Sequence, residues 1–161
     1  PSYDTNLDYL SLKRQSEALK NLFSKYKISQ DKIGIRMHYL RFFHPSTSYQ
    51  CEDSQIAYDS SLGYSAFPGF RCGTCKEFTL FDAKKNKVMQ LRERPLILME
   101  TSIFSKKSSK NYKNLKPLEI ALKLKNKCLD VNGEFLFLWH NCQLDTKLKR
   151  DLYEILVSPC V

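Results

Sequence analysis

The chain contains no run approaching the roughly 20 consecutive apolar residues that a helix needs to cross a bilayer. Its first residues also lack the basic-then-apolar order of a secretory signal. A soluble, cytoplasmic protein without a membrane partner is therefore expected. Glycine and proline are scarce, five and six of 161 residues, which excludes collagen-like and low-complexity chains. There is no Gly-rich phosphate loop, no Ser nucleophile elbow and no two-His helical metal motif, so the enzyme classes built on those devices drop out. Acidic residues are outnumbered, with 17 Asp plus Glu against 26 Lys plus Arg, for a net charge of +9. That balance permits attraction to a polyanion. The lysines, however, are scattered through expected helices (Lys13, Lys20, Lys25, Lys27) and loops (84–87 and 106–116) rather than gathered in one reading element. They read as a solvated surface, and nucleic acid ranks last among the partners.

What is present is the composition of a globular domain. Apolar residues make up 42% and aromatics 12%, with ten Phe and nine Tyr, which excludes disorder. A chain of this length can bury roughly 70% of its unfolded surface in one core, and residues 1–161 are expected to form a single domain. Six cysteines stand at 51, 72, 75, 128, 142 and 160. The chain is too large to need disulfide staples, so reduced thiols are expected. Cys72-Gly-Thr-Cys75 has the spacing of a redox pair or of half a zinc site. A second ligand pair is missing, and the motif precedes an expected strand instead of opening a helix. A structural loop is its first reading, with metal and redox roles left open.

Apolar periodicity places a helix over Thr5–Lys27, with Leu7, Leu10, Ala18, Leu19, Leu22, Phe23 and Tyr26 toward a core and Asp4 or Thr5 as its cap. Strands are expected at Lys32–Arg36, Gln55–Asp59, Phe78–Phe81, Val88–Leu91, Pro95–Met99 and Phe135–Trp139, and helices at Pro45–Ser54, Leu115–Val131 and Asp145–Val157. Gly133 reads as the stop of the Leu115–Val131 helix. Residues 60–75 hold most of the glycine and read as a long functional loop. Strands separated by helices favour a parallel sheet, and in such sheets functional groups gather at the carboxyl ends of the strands. Polar residues follow apolar strands three times, as Arg36 with His38, as Glu100, and as His140 with Asn141. His140 is placed to trade protons with a substrate near neutral pH, or else is a hydrogen-bonded core histidine. Arg36 and His38 alternate with Met37 and can share a side; Arg36 can equally pair with a carboxylate such as Asp59 or Glu100.

The strings PSYDT from Pro1, RMHYLRF from Arg36 to Phe42, YDSSLGYSAFPGFRCGTC from Tyr58 to Cys75, ERPLILME from Glu93 to Glu100, and FLWHN from Phe137 to Asn141 together resemble a bacterial branch of the polysaccharide deacetylase family. The likeness covers almost the whole chain. It implies an α/β fold, a partial (β/α) barrel of the deacetylase type with mostly parallel strands and flanking helices. It implies a hydrolase that removes acetyl groups from a polysaccharide or amino sugar with a bound zinc, cobalt or nickel ion. Arg36 then matches the arginine that braces a catalytic carboxylate, and His140 the general acid that protonates the leaving group. His38, Asp59, Arg71, Glu100 and Trp139 would line the sugar pocket, and Asp4 lies where many members carry a metal ligand.

The departures from that pattern carry expectations too. A complete barrel of this kind usually needs upwards of roughly 200 residues. The family's opening aspartate pair is absent, and the histidine of its second motif would stand immediately before Pro1. The chain therefore reads as the carboxyl-terminal two thirds of a deacetylase-like domain, weak or inactive alone, with Arg36 and His140 sharing one rim. The alternative is a degenerate domain that binds glycan or protein without catalysis. An open sheet edge also invites a homodimer.

Overall fold

Asp8 caps the first helix by accepting the Ser11 backbone N–H at 3.2 Å, so that α1 runs Tyr9–Lys25. In the computed structural model residues 1–2, 8–104 and 116–158 are described. The expected caps Asp4 and Thr5 lie outside them. The chain divides into two compact units, Pro1–Leu62 with Glu77–Arg94, and Gly63–Lys76 with Pro95–Val161.

In the first unit, α1 buries Leu12 and Ser16, which share one helix face with the half-buried Leu19 and Phe23 at steps of three and four residues. Leu10, Leu22 and Tyr26, expected in the core, are exposed, because Leu10 and Leu22 lie off that face and Tyr26 is already the helix cap. Ser16 is tolerated there because its hydroxyl donates to the Ser54 carbonyl at 2.9 Å. Helix α2 spans Ser46–Asp53, close to expectation. The strands are β1 (Gly34–Ile35), β2 (Tyr58–Asp59), β3 (Phe78–Asp82) and β4 (Lys87–Glu93), in the order β1-β2-β4-β3. The β1–β2 and β2–β4 pairs are parallel and the β3–β4 hairpin is antiparallel. Strand β2 starts three residues later than the sequence suggests because Gln55 takes a φ of 57°, which ends extended pairing. Leu12, Ile35, Met37, Ile56, Met89 and Leu91 fill this unit's core.

The hairpin turn is built by Asp82. One carboxylate oxygen accepts the backbone N–H groups of Lys84 and Lys85 at 2.9 and 3.2 Å, and the other accepts the Tyr49 hydroxyl at 2.7 Å. The Tyr49 hydrogen bond, more than any other contact, holds the Asp82 carboxyl below its usual range. Its contribution to stability is therefore present above the ordinary aspartate value of about 3.9 and fades as pH falls through the lowered one. In Tyr49→Phe the Asp82 carboxyl is expected to titrate higher, moving back toward that ordinary value. Carbon-detected NMR titration measures this directly, and an unmoved Asp82 would show that the hydroxyl is not the cause.

In the second unit, β5 (Leu98–Met99) pairs in parallel with β6 (Phe137–Leu138), flanked by α3 (Glu100–Phe104), α4 (Pro117–Asp130) and α5 (Lys147–Val157). Both strands are shorter than their apolar runs, because only two residues of each find a partner and Glu100 already begins α3. Ile97, Leu98, Ile120, Leu124, Leu152 and Leu156 form the core. Helix α4 starts with Pro117 at its first position, where the missing N–H costs nothing. It ends ahead of Asn132, whose φ is 50°. Asn132, not Gly133, is thus the left-handed stop. Lys125 reaches the carbonyls of Leu156 and Ser158 at 3.1 and 2.9 Å and so closes the carboxyl end of α5.

The structure is thus mixed α/β with parallel-rich sheets, and neither sheet closes on itself. Among the described residues no helix is long and apolar enough to cross a membrane.

Candidate acid–base site

Parallel pairing decides which candidate side chains of the second unit meet. Leu98 lies opposite Phe137 and Met99 opposite Leu138, so the two chains leave the sheet at the same end. Glu100 is the next residue on one, and His140 follows two residues on from Leu138 on the other. Their side chains join, with His140 Nδ1 2.6 Å from Glu100 Oε1. The carboxylate side chain is 0% exposed while the imidazole is 48% exposed. With Nδ1 engaged by Glu100, Nε2 is the ring atom left to exchange a proton. Glu100 Oε2 is buried without a hydrogen-bond partner among the described residues, as is the indole N–H of Trp139. Trp139 is held edge-on between Tyr153, at 5.6 Å, and Phe104, at 6.4 Å. Arg71 donates to the Gly63 carbonyl at 3.0 Å and so braces the 63–76 loop.

Arg36, His38 and Asp59 belong to the first unit. Arg36 Nε donates to the carbonyl and to the hydroxyl of Ser60, each at 3.0 Å. Ser61 gives its N–H to one Asp59 oxygen and its hydroxyl to the other, both at 2.7 Å, and accepts the Met37 N–H at 2.8 Å. Burial lowers the Arg36 pKa against the opposing pull of Asp59 and Glu93. Burial also raises the Asp59 carboxyl above its usual range, although Ser61 and Glu93 hydrogen-bond to it. Burial of two carboxyl groups beside each other favours the neutral form of Asp59. His38 does not continue the strand: β1 stops at Ile35, and the residue opens a 3-10 turn, exposed and edge-on to Tyr39. The alternation that would align it with Arg36 has ended by then.

Glu93 is the group that sequence reasoning missed. It is 0% exposed, lies opposite Asp59 in the β2–β4 register, and accepts the Leu62 N–H at 3.2 Å. The signal was available, since Met89, Leu91 and Glu93 occupy the buried side of a strand that alternates strictly.

Asp4 lies outside the described residues. Among those described, no group of three His, Cys, Asp or Glu side chains is disposed to hold a metal ion. The five described cysteines form no disulfide. Compared with protein-family models, with curated proteins and with solved structures, the chain matches none.

Proposed function

We propose that the chain acts in the hydrolytic removal of acetyl groups from an amino sugar or polysaccharide, with His140 supplying the proton to the departing nitrogen or oxygen. The observation that carries this reading is the 2.6 Å bond between an exposed imidazole and a fully buried carboxylate. Glu100 acts as the positioning residue. It fixes the ring through Nδ1 and stabilises the imidazolium, while Nε2 meets the substrate. Proton transfer by such a group contributes roughly 10²–10⁴-fold to rate. The buried indole N–H of Trp139 is a donor suited to a sugar hydroxyl.

On this reading Arg71 contacts sugar in the second unit and Arg36, His38 and Asp59 do so in the first, and the fold is a partial (β/α) barrel of the deacetylase type. The three parallel strand pairs support it. A divalent ion such as zinc, cobalt or nickel belongs to the same reading, with ligands beyond those described; the chemistry derived for this chain is the proton transfer alone. The setting is cytoplasmic, on the argument from reduced thiols, and a second copy pairs along β1, an edge of its sheet.

Acetate release from acetylated chito-oligomers and acetylated xylan by the whole gene product, supplied with each of the three metals, tests the reading. His140→Ala is expected to lower it at least roughly 100-fold with the circular-dichroism spectrum unchanged. Equal turnover in the variant overturns the assignment. Oligosaccharide binding by the wild type without acetate release makes the domain a non-catalytic glycan binder instead.

A further inference from the structure

Cys128 is fully buried in the last turn of α4 and Cys75, on the 63–76 loop, is 3% exposed. Both belong to one buried core cluster, and Cys75 is the neighbour that, after burial, raises the Cys128 thiol. The backbone around both is pinned, with Glu134 N–H donating to the Cys75 carbonyl at 3.0 Å and Gly133 N–H to that of Cys128 at 2.8 Å. A β-carbon at Gly133 would lie 2.2 Å from Cys75 Sγ, so this sulfur fills the space a side chain would take. Cys75 also lines a cavity of about 420 Å³, walled by Gly73, Lys76, Lys127, Asp130 and Val131. Those five residues are exposed, so the cavity that Cys75 lines reaches solvent. The Cys72–Cys75 spacing drew attention in the sequence, but the cysteine that shares the core with Cys75 is 53 residues further on.

We propose that Cys75 and Cys128 form a dithiol that hydrogen peroxide closes into a disulfide, linking the 63–76 loop to α4. Cys75 lines the cavity and Cys128 does not, so the first attack falls to Cys75; burial, with the neighbouring Cys75, pushes the Cys128 thiol up to about 12. The Cys75 thiol gives its proton to solvent and its sulfur attacks one peroxide oxygen. The O–O bond breaks, and the hydroxide released takes a proton to become water, leaving Cys75 as the sulfenic acid. Cys128 sulfur then attacks Cys75 sulfur, the S–O bond breaks, and the hydroxide leaves as a second water with the Cys128 proton. The two thiols lose two electrons and the peroxide gains them.

The test treats the full chain with hydrogen peroxide, alkylates the remaining thiols and maps unreduced peptides by mass spectrometry. The expected product is a Cys75–Cys128 cross-link, formed equally in Cys72→Ser. It should raise the melting temperature by roughly 5 °C, reversibly with dithiothreitol. A Cys72–Cys75 bond in its place overturns the proposal, as does Cys75 sulfinic acid beside a Cys128 that is still alkylated. The mapping is made on the native chain and does not depend on a cysteine variant folding.

Discussion

Glu93→Ala is expected to cost about 3–5 kcal/mol of folding stability, read from chemical denaturation. Three losses coincide. Asp59 loses the carboxyl with which it shares a hydrogen bond, the Leu62 N–H loses its acceptor, and a cavity opens at a position with no solvent exposure. Arg36, already disfavoured by burial, also loses one of the two carboxyl groups that support its charge. Glu93→Gln keeps the volume and the acceptor and offers Asp59 an amide donor, so its cost should be about 1 kcal/mol. The acid limb separates the two explanations. Burial raises Asp59, so its proton is bound more tightly in the folded than in the unfolded chain. That contribution is fully present below the ordinary value of about 3.9 and is lost as pH rises through the raised one. In Glu93→Gln the amide and Arg36 both favour the Asp59 carboxylate, and the fall in stability over that interval should flatten. A Glu93→Ala protein as stable as the parent would mean that the three groups do not form a coupled cluster.

How far the sequence could lead differs between the two clusters for a physical reason. The His140–Glu100 pair was within reach, because both residues directly follow short apolar runs and a parallel pair of strands delivers its ends to one place. Arg36 and Asp59 were legible in the same way. Glu93 was not, since a carboxylate between Arg92 and Arg94 reads as a solvated charge until the strand's alternation is taken literally. Helices α2, α4 and α5 and the β3–β4 hairpin follow local signals and appear close to where these point. The short strands do not, because an apolar run states only that residues are buried. How many of them pair is set by the neighbouring strand, and β1, β2, β5 and β6 each keep two. For α1 the error lay in the stripe itself: counting apolar residues selected Leu10 and Leu22, whereas the buried face passes through Ser16, made acceptable by one hydrogen bond.

Gly133→Ala is expected to lose roughly 3 kcal/mol or more, although alanine is the better residue on backbone grounds wherever φ is negative. Gly133 is not among the residues with positive φ, so conformational freedom is not what requires it. The requirement is space, since the new methyl would meet Cys75 Sγ at 2.2 Å, and that sulfur sits in the buried cluster that also holds Cys128. Removing the sulfur should relieve the clash. Cys75→Ala alone leaves a small void and costs about 1–2 kcal/mol, but in the Gly133→Ala/Cys75→Ala double variant the added methyl occupies the space the sulfur gave up. The Cys75 β-carbon, 3.4 Å from the new methyl, has only to give by a few tenths of an ångström. The double-variant cycle should therefore show a favourable coupling of at least roughly 2 kcal/mol. Strictly additive penalties would locate the intolerance at Gly133 in the backbone and not in the sulfur. The cycle thus measures how firmly the loop is seated on the α4 turn, which is the same seating that holds Cys75 against Cys128.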